Sequence, residues 1–211
     1  MNDSPLPPTL TRLFVTEVYR ADLNLLSGFP ATLQALDQAC RALAVEDSAG
    51  VEWCKNHGYL GYTSYASIPD LTQHAACFAD LKQRLDYQAA LYAAQIQLDL
   101  ENQPLRLVSM WVNVVEPLGT HTGHIHPRCV ISGTIYISTP PSSSPLRFED
   151  PRLGLMMAAP SRHAAARPER RNFHSVQPAA GHVLLWESWL RHEVPINLSE
   201  DVRISISFNY A

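Results

Sequence analysis

Between Pro30 and Asp47 the apolar residues Leu33, Leu36, Cys40 and Leu43 recur at three- and four-residue spacings. That period sets them on one face of an α-helix, and Pro30 suits its first turn, where a missing N–H costs nothing. A second, alanine-rich run from Asp70 to near Glu101 lines one face with Phe78, Leu81, Leu85, Leu91 and Ile96, and Asp70 is placed to cap its start. Residues 50–69, rich in Gly, Tyr, Ser and His, read as a loop carrying at most a short extended piece, TSYAS. Upstream, a proline-containing tail leads into LFVTEVYRADL, whose apolar positions fit an edge strand or a short helix equally well.

At Gln103–Pro104 the period drops to two and stays there in short segments bounded by turn residues: 105–116, 121–127, 129–139, 145–150, 174–178, 182–188 and 202–210. Seven or so strands with no helix between them predict an antiparallel barrel or jelly roll. The expected class is mainly β with N-terminal helices (α+β), residues 1–102 supporting a β core at 103–211 within one domain. The polar, basic, proline-bearing stretch 158–173 reads as a long loop.

Composition narrows this modestly. Of 211 residues, 46% are hydrophobic and 17% charged, enough apolar material for a core. A net charge of -4 provides no overall positive field to draw nucleic acid or an anionic membrane surface. The four cysteines form no CxxC pair, so neither a zinc ribbon nor a disulfide framework is indicated, and free thiols are expected. The N-terminus lacks a basic segment followed by an apolar run, and nowhere do 18 apolar residues stand together; the expectation is a soluble, cytoplasmic protein. An exposed strand near the N-terminus would allow a homodimer.

The chemistry concentrates at His121, His124 and His126. On a strand, residues two apart project from the same face, so His124 and His126 can reach one metal ion. His192, on a distant segment, is the candidate third ligand. Eleven residues later comes Arg203, on a strand whose Arg203, Ser205, Ser207 and Asn209 share one face while Val202, Ile204, Ile206 and Phe208 share the other. If that polar stripe looks into the barrel, the arginine fork and Ser205 offer a seat for a carboxylate beside the metal. A metal next to a carboxylate anchor suggests a dicarboxylate co-substrate, with Trp111, Asn113 and Tyr136 as further walls of the cavity.

The run WVN, HTGHIHP, ISGTIYI, FEDPR, PAAGHVLLWESWLRHEVPIN and VRISISFNY, over roughly residues 60–211, resembles a small bacterial family of iron(II)/2-oxoglutarate-dependent oxygenases. The resemblance implies a double-stranded β-helix (a cupin-like jelly roll) with helices packed on one side, Fe(II) in its mouth, and 2-oxoglutarate chelating the metal with its far carboxylate on an arginine. Carried over, His124 and His192 match iron ligands, Arg203 and Ser205 the 2-oxoglutarate anchor, and Tyr136 and Asn113 co-substrate contacts. Position 126 departs: the wider superfamily has a carboxylate where this chain has histidine. Three neutral imidazoles, two with His126 set back, or a site that has lost iron activity are the readings, and the first is preferred. The implied reaction is hydroxylation of a small-molecule or peptide substrate by O2, with release of succinate and CO2.

His121 is out of strand phase with His124, which argues against direct ligation. His57, His74, His163, His174 and His182 read as structural or solvated, as do Arg162, Arg167, Arg170 and Arg171 unless their loop borders a substrate path. Cys129 reads as packing, and Glu149, Asp150 and Glu187 as turn and strand-end residues. Two rival readings stand: a cupin-like three-histidine metal enzyme (a dioxygenase or zinc hydrolase) without 2-oxoglutarate, and a non-catalytic β-barrel binding a carboxylate. Against the first, eleven residues separate Gly181 from His192, whereas in cupins the second histidine follows that turn closely.

Overall fold

The computed structural model describes residues 9–101 and 103–211; the prolines of the N-terminal tail and residue 102 lie outside the described residues. Helix α1 spans Phe29–Glu46, with Pro30 in its first turn, Leu36 and Cys40 buried, and Leu33 and Leu43 half-buried against the core. A helix the periodicity did not predict, α2 (Ser48–Asn56), occupies the start of the expected loop. The Asp47 side chain caps it, accepting from the Gly50 N–H at 3.1 Å.

The third helix, α3, spans Ala76–Gln95 and starts later than Asp70 implied. Asp70 instead caps a 3-10 turn, Leu71–Gln73, accepting from the Thr72 N–H at 3.0 Å. Phe78, Leu81 and Leu85 are buried as expected, but the stripe continues through Ala89 and Tyr92. Leu91, one residue and so about 100° of helix rotation from Tyr92, is 37% exposed.

Ten strands follow the chain: β1 (Tyr19–Asp22), β2 (Gly61–Thr63), β3 (Leu107–Val115), β4 (His121–His124), β5 (Ile131–Ser138), β6 (Leu146–Glu149), β7 (Phe173–Val176), β8 (His182–Glu187), β9 (His192–Val194) and β10 (Arg203–Tyr210). They form a six-stranded sheet, β1-β8-β5-β10-β3-β2, and a four-stranded sheet, β4-β9-β6-β7, with antiparallel pairing throughout. This is the double-stranded β-helix. The N-terminal region is more than helical support, because β1 and β2 form the two edges of the larger sheet. The open choice at LFVTEVYRADL falls to an edge strand, and β2 precedes rather than coincides with most of TSYAS.

The period of two decides what the larger sheet does on each face. Ile204, Ile206 and Phe208 of β10, Met110, Val112 and Val114 of β3, and Val183 and Leu185 of β8 pack with Leu36, Phe78, Leu81 and Leu85 of the helices into the main core. The intervening residues of the same strands face the other sheet, where Tyr136, Leu146, Phe148, Leu184, Trp186 and Leu190 make a second, smaller cluster. The helices thus seal one face of the sheet, and the other lines the barrel interior. At one edge, Gly61 has φ +123, and a Cβ there would lie 2.0 Å from the Val114 carbonyl oxygen, so β2 reaches β3 only with glycine at this position.

Candidate active site

His124 ends β4, His192 begins β9, and the two are direct register partners across the smaller sheet. His126 lies two residues past the end of β4, so the same-face argument from strand geometry does not place it. A hydrogen bond from its N–H to the Ser188 carbonyl at 3.0 Å does. The three rings still converge: one ring nitrogen from each of His124, His126 and His192 lies within 4.8 Å of the others.

Carbonyl contacts orient two of the rings. His124 Nδ1 lies 2.7 Å from the Thr122 carbonyl and His192 Nδ1 2.9 Å from that of Leu190. A carbonyl only accepts, so each Nδ1 carries the proton and each Nε2 keeps a lone pair for a metal. Trp111 stacks on His126 at 5.8 Å, and Trp186 meets His192 edge-on at 4.7 Å. Burial, then the charge of His124, pulls the pKa of His126 down to about 4. For His192 burial again comes first and takes it to about 3, against the opposing pull of the Leu190 carbonyl. Both rings are therefore neutral at physiological pH, the form that ligates.

The polar stripe of β10 faces the interior as expected, and its two ends differ. At the Asn209 end it is internally satisfied: Ser132 Oγ donates to Asn209 Oδ1 at 2.7 Å, and Asn113 Nδ2 donates to Ser207 Oγ at 3.1 Å. At the other end Arg203 is 2% exposed. Its Nε donates to the Ser144 carbonyl at 3.1 Å, its Nη1 to Ser205 Oγ at 3.3 Å, and its guanidinium lies 5.0 Å over the Tyr136 ring. No acidic side chain pairs with it among the described residues. Three buried hydroxyls, those of Tyr59, Tyr136 and Ser144, have no hydrogen-bond partner among the described residues.

A cavity of about 460 Å³, its mouth included, joins the histidines to Arg203 and is walled by Trp111, Asn113, Thr134 and Ser205 among others. Asn113 also accepts from the Thr63 hydroxyl at 3.0 Å. His121 lines the same cavity with its ring 4.8 Å from that of His124. A register irregularity between the two residues breaks the strand phase on which the sequence reading relied. Tyr59 and Ser144 were not anticipated: both sit in irregular segments, where periodicity carries no signal. Glu149 and Asp150 are engaged by Arg191 and Arg152 at 3.1 and 3.0 Å. All four cysteines are free thiols. No helix among the described residues is long and apolar enough to cross a membrane.

Fold and site together define a double-stranded β-helix in which three histidines that could hold a metal ion lie beside a buried arginine. Residues 109–209 match the family described as "Putative 2OG-Fe(II) oxygenase". That stretch, just under half of the chain, holds the triad and Arg203. Among solved structures the chain is similar to a prolyl-4-hydroxylase of Pseudomonas putida, at 16% identity and TM-score 0.61 with 92% of each chain covered. It is also similar to the epimerase SnoN in complex with Fe3+, alpha ketoglutarate and nogalamycin RO, at 17% identity and TM-score 0.63, covering 92% of this chain and 78% of that one. HygX from Streptomyces hygroscopicus, with nickel, 2-oxoglutarate and hygromycin B bound, matches at 17% identity and TM-score 0.57, covering 93% and 83%. At such identities the likeness concerns the fold. No curated protein matches the chain.

Proposed function

We propose that the protein is a non-haem Fe(II)- and 2-oxoglutarate-dependent dioxygenase that hydroxylates a small-molecule or peptide substrate. His124, His126 and His192 would hold the metal, and Arg203 with Ser205 the far carboxylate of 2-oxoglutarate. The observation that carries this reading is Arg203 itself. A buried cation without a counter-charge costs several kcal/mol, and each buried polar group left unpaired costs about 1–3 kcal/mol. A carboxylate bound at this end of the cavity offsets both at once, and the self-satisfied Asn209 end offers no comparable seat.

Iron with 2-oxoglutarate, when bound, supplies oxidative decarboxylation of the co-substrate coupled to oxygen insertion into a C–H bond, yielding succinate and CO2. The chain's own residues do the rest. The Thr122 and Leu190 carbonyls hold the His124 and His192 rings in the ligating tautomer. The Arg203 fork fixes the co-substrate's long axis, and Tyr136 backs the guanidinium. Trp111, Trp186 and Phe148 dry the metal end. Substrate choice falls to the irregular segments 64–70 and 154–172, and the protein would act as a soluble cytoplasmic enzyme.

The test is stoichiometry. Purified protein loaded with Fe(II) under air is predicted to convert 2-oxoglutarate to equal amounts of succinate and CO2. Metal binding without 2-oxoglutarate consumption would favour a cupin-like enzyme instead, and carboxylate binding without metal a silent binding module.

A further inference from the structure

We propose that the substrate is an acidic peptide segment, gripped outside the cavity by Arg162, Arg170 and Arg171 while the side chain to be hydroxylated enters past Tyr65. The inference rests on the dioxygenase reading above and names the substrate class which that reading leaves open.

The topology sets these arginines at the histidine end of the barrel. His192 is the register partner of both His124 and Phe148, and β6 ends one residue later at Glu149, whose N–H donates to the Arg191 carbonyl at 3.0 Å. The chain departs there and returns at Phe173, the partner of Glu149. Residues 150–172 therefore stand next to the row that holds two of the three histidines. From the β2 side comes Tyr65, 64% exposed, its ring edge-on to the cavity-lining Trp111 at 5.2 Å. The turn that carries it is fixed to β3: the Ser64 N–H donates to the Val112 carbonyl at 3.1 Å, and Ser64 Oγ accepts from the Val112 N–H at 3.0 Å. An aromatic ring on such a turn loses little freedom when a ligand covers it.

Charge narrows the partner. Residues 150–172 carry five arginines against Asp150 and Glu169, a net +3 in a chain of net -4, which leaves -7 on the rest. Arg152 and Arg167 pair with those two acids at 3.0 and 3.2 Å. Arg162, Arg170 and Arg171 are exposed and form no ion pair among the described residues. Their guanidinium forks suit carboxylates. None of the three lines the cavity, so a substrate that meets them and also presents a C–H bond at the histidines must extend out of it, as a peptide does and a compact acid does not. The negative charge elsewhere repels a uniformly charged chain such as nucleic acid, whereas a peptide can confine its acidic side chains to one stretch. Exposed pairs are individually weak, so the grip comes from several together and fades with salt.

The experiment measures fluorescence anisotropy of two labelled, randomised peptide pools, one with Glu at every third position and one with Gln there, against the purified protein. Succinate release from 2-oxoglutarate is followed with the same pools after Fe(II) is added under air. The Glu pool is expected to bind about tenfold more tightly than the Gln pool at low salt, to lose that advantage at high salt, and to stimulate succinate release more. Arg162→Gln/Arg170→Gln/Arg171→Gln should bind the two pools alike with an unchanged melting temperature, and Tyr65→Ala should weaken both. Arg41→Gln/Lys82→Gln, on α1 and α3, should behave as wild type. Equal binding of the two pools to wild type overturns the assignment, as does an advantage that survives the triple substitution, an equal loss in the helix variant, or tighter binding of a single-stranded RNA pool. Preferential binding of the Glu pool by a protein that consumes no 2-oxoglutarate overturns the dioxygenase reading instead, and with it the peptide's role as substrate.

Discussion

The Nε2 atoms of His126 and His192 face each other at 3.2 Å across 66 residues of sequence. The Nδ1 proton of His192 is committed to the Leu190 carbonyl, so its Nε2 presents a lone pair. Two such nitrogens remain close only with a proton or a cation between them, and a divalent metal also engages His124.

His126→Ala and His192→Ala are each expected to weaken Fe(II) binding by more than about 100-fold, beyond the ~10–100-fold typical of residues that only orient a ligand. Metal titration of the folded variants checks this. A His126→Ala loss of tenfold or less would move His126 out of the ligand set. His126→Asp, which restores the carboxylate implied by the family resemblance, is expected to retain iron.

Arg203→Met should leave iron content intact and weaken 2-oxoglutarate by about 100-fold, the upper end of what a hydrogen bond to a charged group contributes. Arg203→Lys should recover only part of that, since an ammonium does not reproduce the fork. The ligand-free Arg203→Met protein is expected to be at least as thermostable as wild type, because it no longer buries an unpaired charge.

The metal-free protein should lose stability as pH falls below about 6.5. His121, His126 and His192 have folded pKa values pulled down to about 4, 4 and 3, primarily by burial. Between those values and 6.5 the unfolded chain binds more protons than the folded one, so acid favours unfolding and the stability is regained as pH rises through that window. Chelator-treated protein melted from pH 4 to 8 should show this slope and then a plateau above about pH 7. Excess metal should flatten it.

Gly61→Ala should detach the β2 edge. The φ of +123 costs a non-glycine residue about 1–3 kcal/mol, and the new methyl collides with the Val114 carbonyl. Hydrogen exchange is expected to rise locally at residues 59–63, and 2-oxoglutarate affinity to fall with it.

Much of this architecture was legible because the residues that matter alternate. Arg203, Ser205, Ser207 and Asn209 declare an inward face simply by standing between Ile204, Ile206 and Phe208. His124 and His192 were legible as candidates, although β9, only three residues long, was too short to be read as a strand. His126 reaches the cluster by a route periodicity does not describe, a turn pinned by Ser188. His121 was set aside because the irregularity in β4 resets a phase that sequence cannot show. Helix α2 was missed because nine residues with no clear apolar stripe give little period to detect; Asp47 three residues before Gly50 was its one signal. Tyr59 and Ser144 lie in loops, and only the folded chain brings them to Arg203.

The central claim is that the three imidazoles and Arg203 serve one chelated co-substrate. Its most direct test is anaerobic addition of 2-oxoglutarate to the Fe(II)-loaded protein with visible absorbance as the readout. The account predicts a metal-to-ligand charge-transfer band that saturates at one equivalent, disappears in His192→Ala and requires about 100-fold more 2-oxoglutarate in Arg203→Met. No band in the iron-loaded wild type, or the same titration curve in Arg203→Met, would contradict it.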